Sequence, residues 1–353
     1  MKNVYFLMVP STHLLDLAGP LQVIHSVGEV GAGSVDLSCI GPEVSVGAFQ
    51  PLTLTDIRPL PRTLPPEAVL FVIGAKLTPA LVRSSAWRKS VDWLARLGRE
   101  RPDGLRICGV CSGTFLLAEA GLLDGRLCTT HHRFIARLRA ASPTATVLEN
   151  RVFVEDGDLL TSAGVTSGID LALHLVSQAF GEDVAIQVAR ENVVNFRRFG
   201  ADPELSAATR HRAHGNQRIH AIQDAIAARL HAGVTIGELA AQAGLSERHL
   251  ARLFLAETGV SIKQYQIALR MDLARRLMTS SRLSLENIAA SCGYSSVQAF
   301  RANWNKHERL PPSLLRRDDL ASRREDGGGV SGASARTKPA VPVRSLESRL
   351  PKR

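Results

Sequence analysis

The residues best suited to chemistry lie in the stretch GVCSG at positions 109–113 and in its continuation, TFLLAEAGLLDGRLCTTHH, which ends on His131 and His132. An apolar run at 105–110 delivers Cys111 onto a small-residue bend, and a helix-forming run at 115–120 follows at once. A cysteine at a strand-to-helix elbow has its sulfur near a helix N-terminus, whose positive end favours the thiolate. Backbone N–H groups of the same turn can hold an oxyanion. Three roles are open for Cys111: nucleophile, ligand contact, or remnant of the fold. The placement predicts a depressed thiol pKa and a faster reaction with alkylating agents than Cys39 or Cys128.

The elements that must position this elbow alternate in type. Apolar, β-branched runs at 4–9, 35–40, 69–73, 105–110, and 152–154 with 159–161 read as strands. Runs at 21–27, 87–97, 115–120, 134–140, 169–180 and 184–194 read as helices. Such alternation predicts a parallel sheet covered on both faces. In these sheets ligands sit beyond the carboxyl ends of the strands, and Cys111 falls at one such end. From 197 to 218 the sequence turns polar and Arg/His-rich, which predicts a hinge. From 219 to about 317 the pattern is helical throughout. Residues 318–353 are rich in Gly, Ser, Pro and Arg, which predicts a disordered basic tail.

The 353 residues suit about two domains, and 45% hydrophobic with 22% charged residues suits a soluble globular chain. The run at 4–9 is too short for a signal peptide or a membrane span. The five cysteines are odd in number and lack metal-ligand spacing. A cytoplasmic protein without structural disulfides, metal or cofactor is expected. Net charge is +10, unevenly distributed: residues 1–196 carry 17 Lys/Arg against 19 Asp/Glu, and residues 197–353 carry 26 against 14. The basic second half points to a polyanionic partner.

That half contains an internal repeat. IGELAAQAGLS at 236–246 and LENIAASCGYS at 285–295 coincide at an offset of 49. Each reads as a short amphipathic helix ended by a glycine (Gly244, Gly293), with a hydroxyl N-cap opening the next helix. Thr235 and Glu238 have capping-box spacing. Helix, glycine turn, helix is the helix-turn-helix arrangement, here present twice. An apolar pattern at 262–278 predicts one helix joining the units, so that two recognition helices could enter successive major-groove segments about 34 Å apart. The outward positions are Arg248, Ala251 and Arg252 in the first second-helix, and Gln298 and Arg301 in the other. Arg pairs with guanine and Gln with adenine, although each could instead touch phosphate.

Residues 219–317 resemble an AraC/XylS-type DNA-binding domain, with Phe300, Trp304, Pro312 and Arg316 at its signature positions. Arg309 stands where a turn glycine is usual, and Leu315 where an aromatic is usual. Residues 1–196 resemble the ThiJ/PfpI branch of the class I glutamine amidotransferase-like superfamily. The resemblance rests on the elbow at Cys111, on AEAGLLDGRLCTTH ending at His131, on TSAGVTSGIDLALHLV from Thr161, and on DLAGP with Asp16. It implies an α/β fold: a parallel-sheet, flavodoxin-like amidotransferase-type domain followed by an all-α domain with two helix-turn-helix units. The combination resembles the GlxA-type transcriptional regulators.

The resemblance places His131 and Asp16 beside the thiol. His132 replaces an aromatic usual in the family, and Gln22 an acidic residue. An acid to orient the histidine is not assignable, since Asp170 and His174 lie on a helix that reads as packing. The expectation is therefore a regulator rather than an enzyme. Asp16, Gly74, Cys111, Ser112, His131 and His132 would form an effector site, without catalytic residues. The partners would be double-stranded promoter DNA, a small nitrogen-containing effector, and a second copy through the first domain. The rival is a cysteine hydrolase or hydratase with Cys111 as nucleophile and the helical domain as an accessory.

Overall fold

The computed structural model describes residues 1–194, 197–200, 202–281, 283–307 and 312. By compactness the chain divides into two units, Met1–Asp272 and Leu273–Arg353. The strands of the first are β1 (Asn3–Leu7), β2 (Asp36–Gly41), β3 (Val46–Gly47), β4 (Thr53–Leu54), β5 (Arg58–Pro59), β6 (Val69–Val72), β7 (Arg106–Val110), β8 (Leu127–Cys128), β9 (Thr146–Val147), β10 (Phe153–Asp156) and β11 (Leu159–Ser162). Seven form one sheet in the order β10-β11-β7-β6-β1-β2-β5. Its pairs are parallel except β10 with β11, an antiparallel hairpin. The mostly parallel sheet is the architecture expected, with the hairpin added at one edge.

Its helices are α1 (Leu14–Glu29), α2 (Pro79–Val82), α3 (Ser85–Arg99), α4 (Thr114–Glu119), α5 (Ile135–Ala141), α6 (Ser167–Phe180) and α7 (Glu182–Glu191). Alternate side chains of a strand point to opposite faces. Phe6 accordingly packs with Ile24, Phe71, Leu171 and Val176 on one face. Its neighbour Leu7 packs with Trp87, Leu94, Phe115 and Leu138 on the other. Each such buried side chain contributes roughly 1.5–3 kcal/mol relative to exposure. Strand β6 is buried at all four residues, which explains its unbroken apolar run.

Helix α1 starts seven residues before the predicted 21–27 and carries Pro20 inside it. Tertiary packing overrides the breakers: Gly19 lies against Ile169, and Pro20 lies against Gly168 of α6.

The helical part begins with α8 (Ala207–Arg210), α9 (Gln217–Ala228), α10 (Ile236–Ala243) and α11 (Glu247–Thr258). Ile219, Ile222, Leu239, Leu250, Phe254 and Tyr265 form its core, which also includes Ala207. Thr235 and Glu238 close the capping box, Gly244 ends α10 at φ 63°, and Ser246 caps α11. Helix α12 (Ile262–Ser280) is continuous.

In the second unit, α13 (Leu285–Ser291) is followed by Gly293 at φ 77° and α14 (Val297–His307). Ser296 accepts from Ala299 N–H, and Phe300 and Trp304 are buried. Arg309, Leu315, Arg316 and the tail at 318–353 lie outside the described residues.

The segment predicted as a hinge is fastened to the sheet domain. Arg198 donates to Asp170 through its backbone N–H (2.8 Å) and its Nε (2.9 Å), and its Nη2 lies 2.7 Å from the same carboxylate. Val152 N–H donates to the Asp202 carbonyl at 3.0 Å. Ala207 N–H then donates to Asp272 on α12 at 2.6 Å. The polar groups that predict a hinge at 197–218 are the ones that make these contacts.

Candidate functional site

The carboxyl ends of β1, β6 and β7 bring Asp16, Gly74 and Cys111 together. Cys111 sits at φ 55°, in the left-handed region. It opens a single 3₁₀ turn, Cys111–Gly113, before α4. The strain is held by its carbonyl, which accepts from the Thr130 hydroxyl at 2.7 Å and the Thr114 hydroxyl at 2.9 Å. Two glycines leave room for the side chain. A Cβ at Gly164 would run into the Cys111 Cβ and Sγ, and one at Gly74 into the Asp16 carboxylate and the Cys111 Cβ.

Asp16, in the first turn of α1, is 1% exposed. Its Oδ1 accepts from Val165 N–H at 2.5 Å, while Oδ2 is buried without a hydrogen-bond partner. Burial pushes its carboxyl above the ordinary range, against the Val165 N–H and the charge of His13. Ser112 was expected to touch a ligand. Its hydroxyl instead donates to the Ala75 carbonyl (2.7 Å) and accepts from Ala75 N–H (2.9 Å), which locks the elbow to the end of β6.

The expected depression of the Cys111 pKa is corrected by this geometry. Burial first, then the Asp16 carboxylate, push the thiol well above its ordinary value, and the Ser112 N–H offsets only part of this. The helix end is present, but burial, with the acid beside the sulfur adding to it, outweighs it. Near neutral pH the sulfur is a thiol.

His131 is half-buried, and its pKa is lowered to about 4, by burial first and then by His132, Arg133 and His13. It is a neutral imidazole whose Nδ1 accepts from Arg133 N–H at 3.3 Å. Among the described residues no hydrogen bond joins it to Cys111. His132 is exposed, its ring 4.1 Å from that of His131. The acid that meets this pair is Glu204, whose Oε1 lies 2.7 Å from His132 Nδ1 and accepts His132 N–H at 3.1 Å. Sequence reasoning missed Glu204, since nothing in the spacing links positions 72 apart. Asp170 is taken by Arg198, and His174 Nε2 lies 2.7 Å from Glu155.

In the helical part, Leu250 and Phe254 are buried, Leu253 is half-buried, and Arg248, Ala251 and Arg252 are exposed on α11. On α14, Gln298 and Arg301 are exposed opposite Phe300 and Trp304. Among the described residues none of these four polar side chains has a hydrogen bond or ion pair, so their donors are available to a partner.

A strained cysteine elbow on a mostly parallel sheet, followed by paired glycine-turn helices, defines a two-part protein that joins an α/β domain to a DNA-reading module. The comparisons agree. A model of the DJ-1/PfpI family matches residues 69–178, and a helix-turn-helix domain model matches residues 239–318. The chain is 31% identical to the HTH-type transcriptional regulator CdhR of Pseudomonas aeruginosa over 88% of this chain and 90% of that protein. It is 30% identical to the HTH-type transcriptional regulator GlxA of Rhizobium meliloti over 66% of this chain and 70% of that protein. An isonitrile hydratase of Pseudomonas putida is 29% identical over 52% of this chain and 74% of the enzyme. The chain belongs to the family of HTH-type transcriptional regulators that join a DJ-1/PfpI domain to an AraC-type helix-turn-helix domain. No helix among the described residues is long and apolar enough to cross a membrane.

Proposed function

We propose that this DNA-binding regulator works in the cytoplasm as a metabolite sensor, with residues 1–196 and the fastened segment holding the effector and residues 219–317 reading promoter DNA. The observation that carries the reading is the buried Cys111 side chain set against the Asp16 carboxyl, with no hydrogen bond among the described residues joining His131 to it. That set lacks the thiolate–imidazolium pair that activates a cysteine nucleophile. Its buried Asp16 carboxyl, held by the Val165 N–H and beside the Cys111 side chain, is an acceptor suited to a ligand N–H or O–H donor. His131 and His132 would line the effector site in this reading. Turnover is not part of this reading. Two copies joined through the first domain would present paired DNA-reading modules and raise their effective concentration on the operator. Arg248, Ala251, Arg252, Gln298 and Arg301 face the DNA.

The test is a promoter gel shift and reporter assay on Cys111→Ala and Asp16→Asn. Both should bind promoter DNA like the parent, and Asp16→Asn should lose the effector response. The hydrolase or hydratase reading would be established by effector consumption that disappears in Cys111→Ala.

A further inference from the structure

Folding assembles a group of side chains that the cysteine pattern gave no reason to expect. His131 and His132 lie in the turn after β8, and Glu204 comes from the segment beyond α7. Each offers one ligand atom, and the three atoms lie within 4.8 Å of one another. We propose that His131, His132 and Glu204 form a binding site for a divalent transition-metal ion of the zinc class.

The donor set suits that ion. Two imidazole nitrogens and one carboxylate oxygen are the three protein ligands of an open zinc site, with bonds of about 2.0–2.2 Å. Around a tetrahedral ion such atoms stand roughly 3.4 Å apart by that bond length, so separations of up to 4.8 Å close by as much as about 1.4 Å while the 2.7 Å His132–Glu204 contact opens. His132 can make that movement, since its side chain is 42% exposed. The other two ligands are already oriented. The His131 ring is fixed by the Arg133 N–H on Nδ1 and by Phe134, 5.9 Å away. The Glu204 side chain is 8% exposed, and its own carbonyl accepts from Arg198 at 3.5 Å. Outer contacts of this kind preset ligand geometry in metal sites.

In the metal-free state the proton on His132 Nδ1 bridges to Glu204 Oε1. The ion takes its place, and that proton moves to Nε2 or to solvent. Hard cations that prefer six or more oxygens are poorly served by two imidazoles. The ion would pin the segment at 197–207 to the turn beside the effector hollow.

The inference is independent of the effector reading, because it is tested by metal binding and not by promoter response. Tag-free full-length protein, stripped with a chelator and desalted, is titrated with Zn²⁺ by calorimetry and with Co²⁺ by visible absorption. One ion per chain is expected. His131→Asn and Glu204→Gln, each checked for folding by circular dichroism, should weaken binding by at least about 10- to 100-fold, the range for losing even an outer-shell partner. Cys111→Ser should bind like the parent. The inference is overturned if the parent shows no saturable binding, if both ligand variants bind unchanged, or if Cys111→Ser loses the ion.

Discussion

Replacing Arg198 by Ala leaves the Asp170 carboxylate, 4% exposed, without its cation. Breaking a buried pair by removing one partner costs about 3–5 kcal/mol, mostly from the stranded charge. The Arg198 side chain keeps 23% of its exposure, so the pair is partly hydrated already. The expected loss is therefore at the low end, about 3 kcal/mol near pH 8. Burial already holds the Asp170 carboxyl above its ordinary range despite Arg198, and Asp202 adds to the rise. A carboxyl whose folded pKa exceeds its unfolded one contributes stability fully below the unfolded value and loses it as pH rises. Removing the guanidinium raises the folded value further, so the penalty must grow as pH rises above the ordinary carboxylate range. Asp170→Asn leaves the Arg198 cation unpaired instead, but that side chain is partly hydrated, so the loss should be smaller, about 1–2 kcal/mol. Urea unfolding followed by tryptophan fluorescence reads the difference, since Trp87 and Trp93 are buried in the sheet domain. A loss under about 1 kcal/mol, the value of a surface pair, or one that shrinks as pH rises, refutes the clamp.

Brief alkylation followed by peptide mapping should label Cys111 no faster than the half-buried Cys39, and Asp16→Asn should speed labelling by removing a charge that opposes the thiolate. Gly164→Ala adds a Cβ against Cys111 at φ 84° and should lower stability by at least about 1 kcal/mol while abolishing the effector response; an unaltered response would place the hollow elsewhere. Arg252→Ala should cost about 1–3 kcal/mol on the specific site and relax preference at one base pair. Equal weakening on random DNA would assign that side chain to phosphate. Binding should fall steeply with added salt for both proteins.

The parallel sheet was legible because each inner strand is an apolar run ending at a turn, and the elbow because small residues bracket Cys111. The repeat exposed both glycine turns, and the inward aromatics then set which side chains face outward. Two-residue strands such as β3, β5 and β8 carry no periodicity and could not be read. The first turns of α1 were hidden by Gly19 and Pro20, whose meaning depends on α6 packed against them. The thiol pKa was misjudged because helix-end effects are local in sequence, whereas burial and the Asp16 carboxylate arrive from elements about a hundred residues away. Glu204 was invisible for the same reason.

The anchoring of residues 197–207 has a consequence for how the chain is made. Among the described residues Val152, beside β10, donates its N–H to Asp202, the Asp170 charge is met by Arg198, and a Cβ at Gly200 would strike Phe153. During synthesis the sheet domain thus cannot complete its edge when its last helix, α7, leaves the ribosome. It must wait for about another dozen residues, with a buried acid and a bare strand flank exposed meanwhile to chaperones and to neighbouring chains. The closing of the α/β half therefore comes just before the DNA-reading half emerges, and a truncation at 196 would release a nascent domain without these contacts.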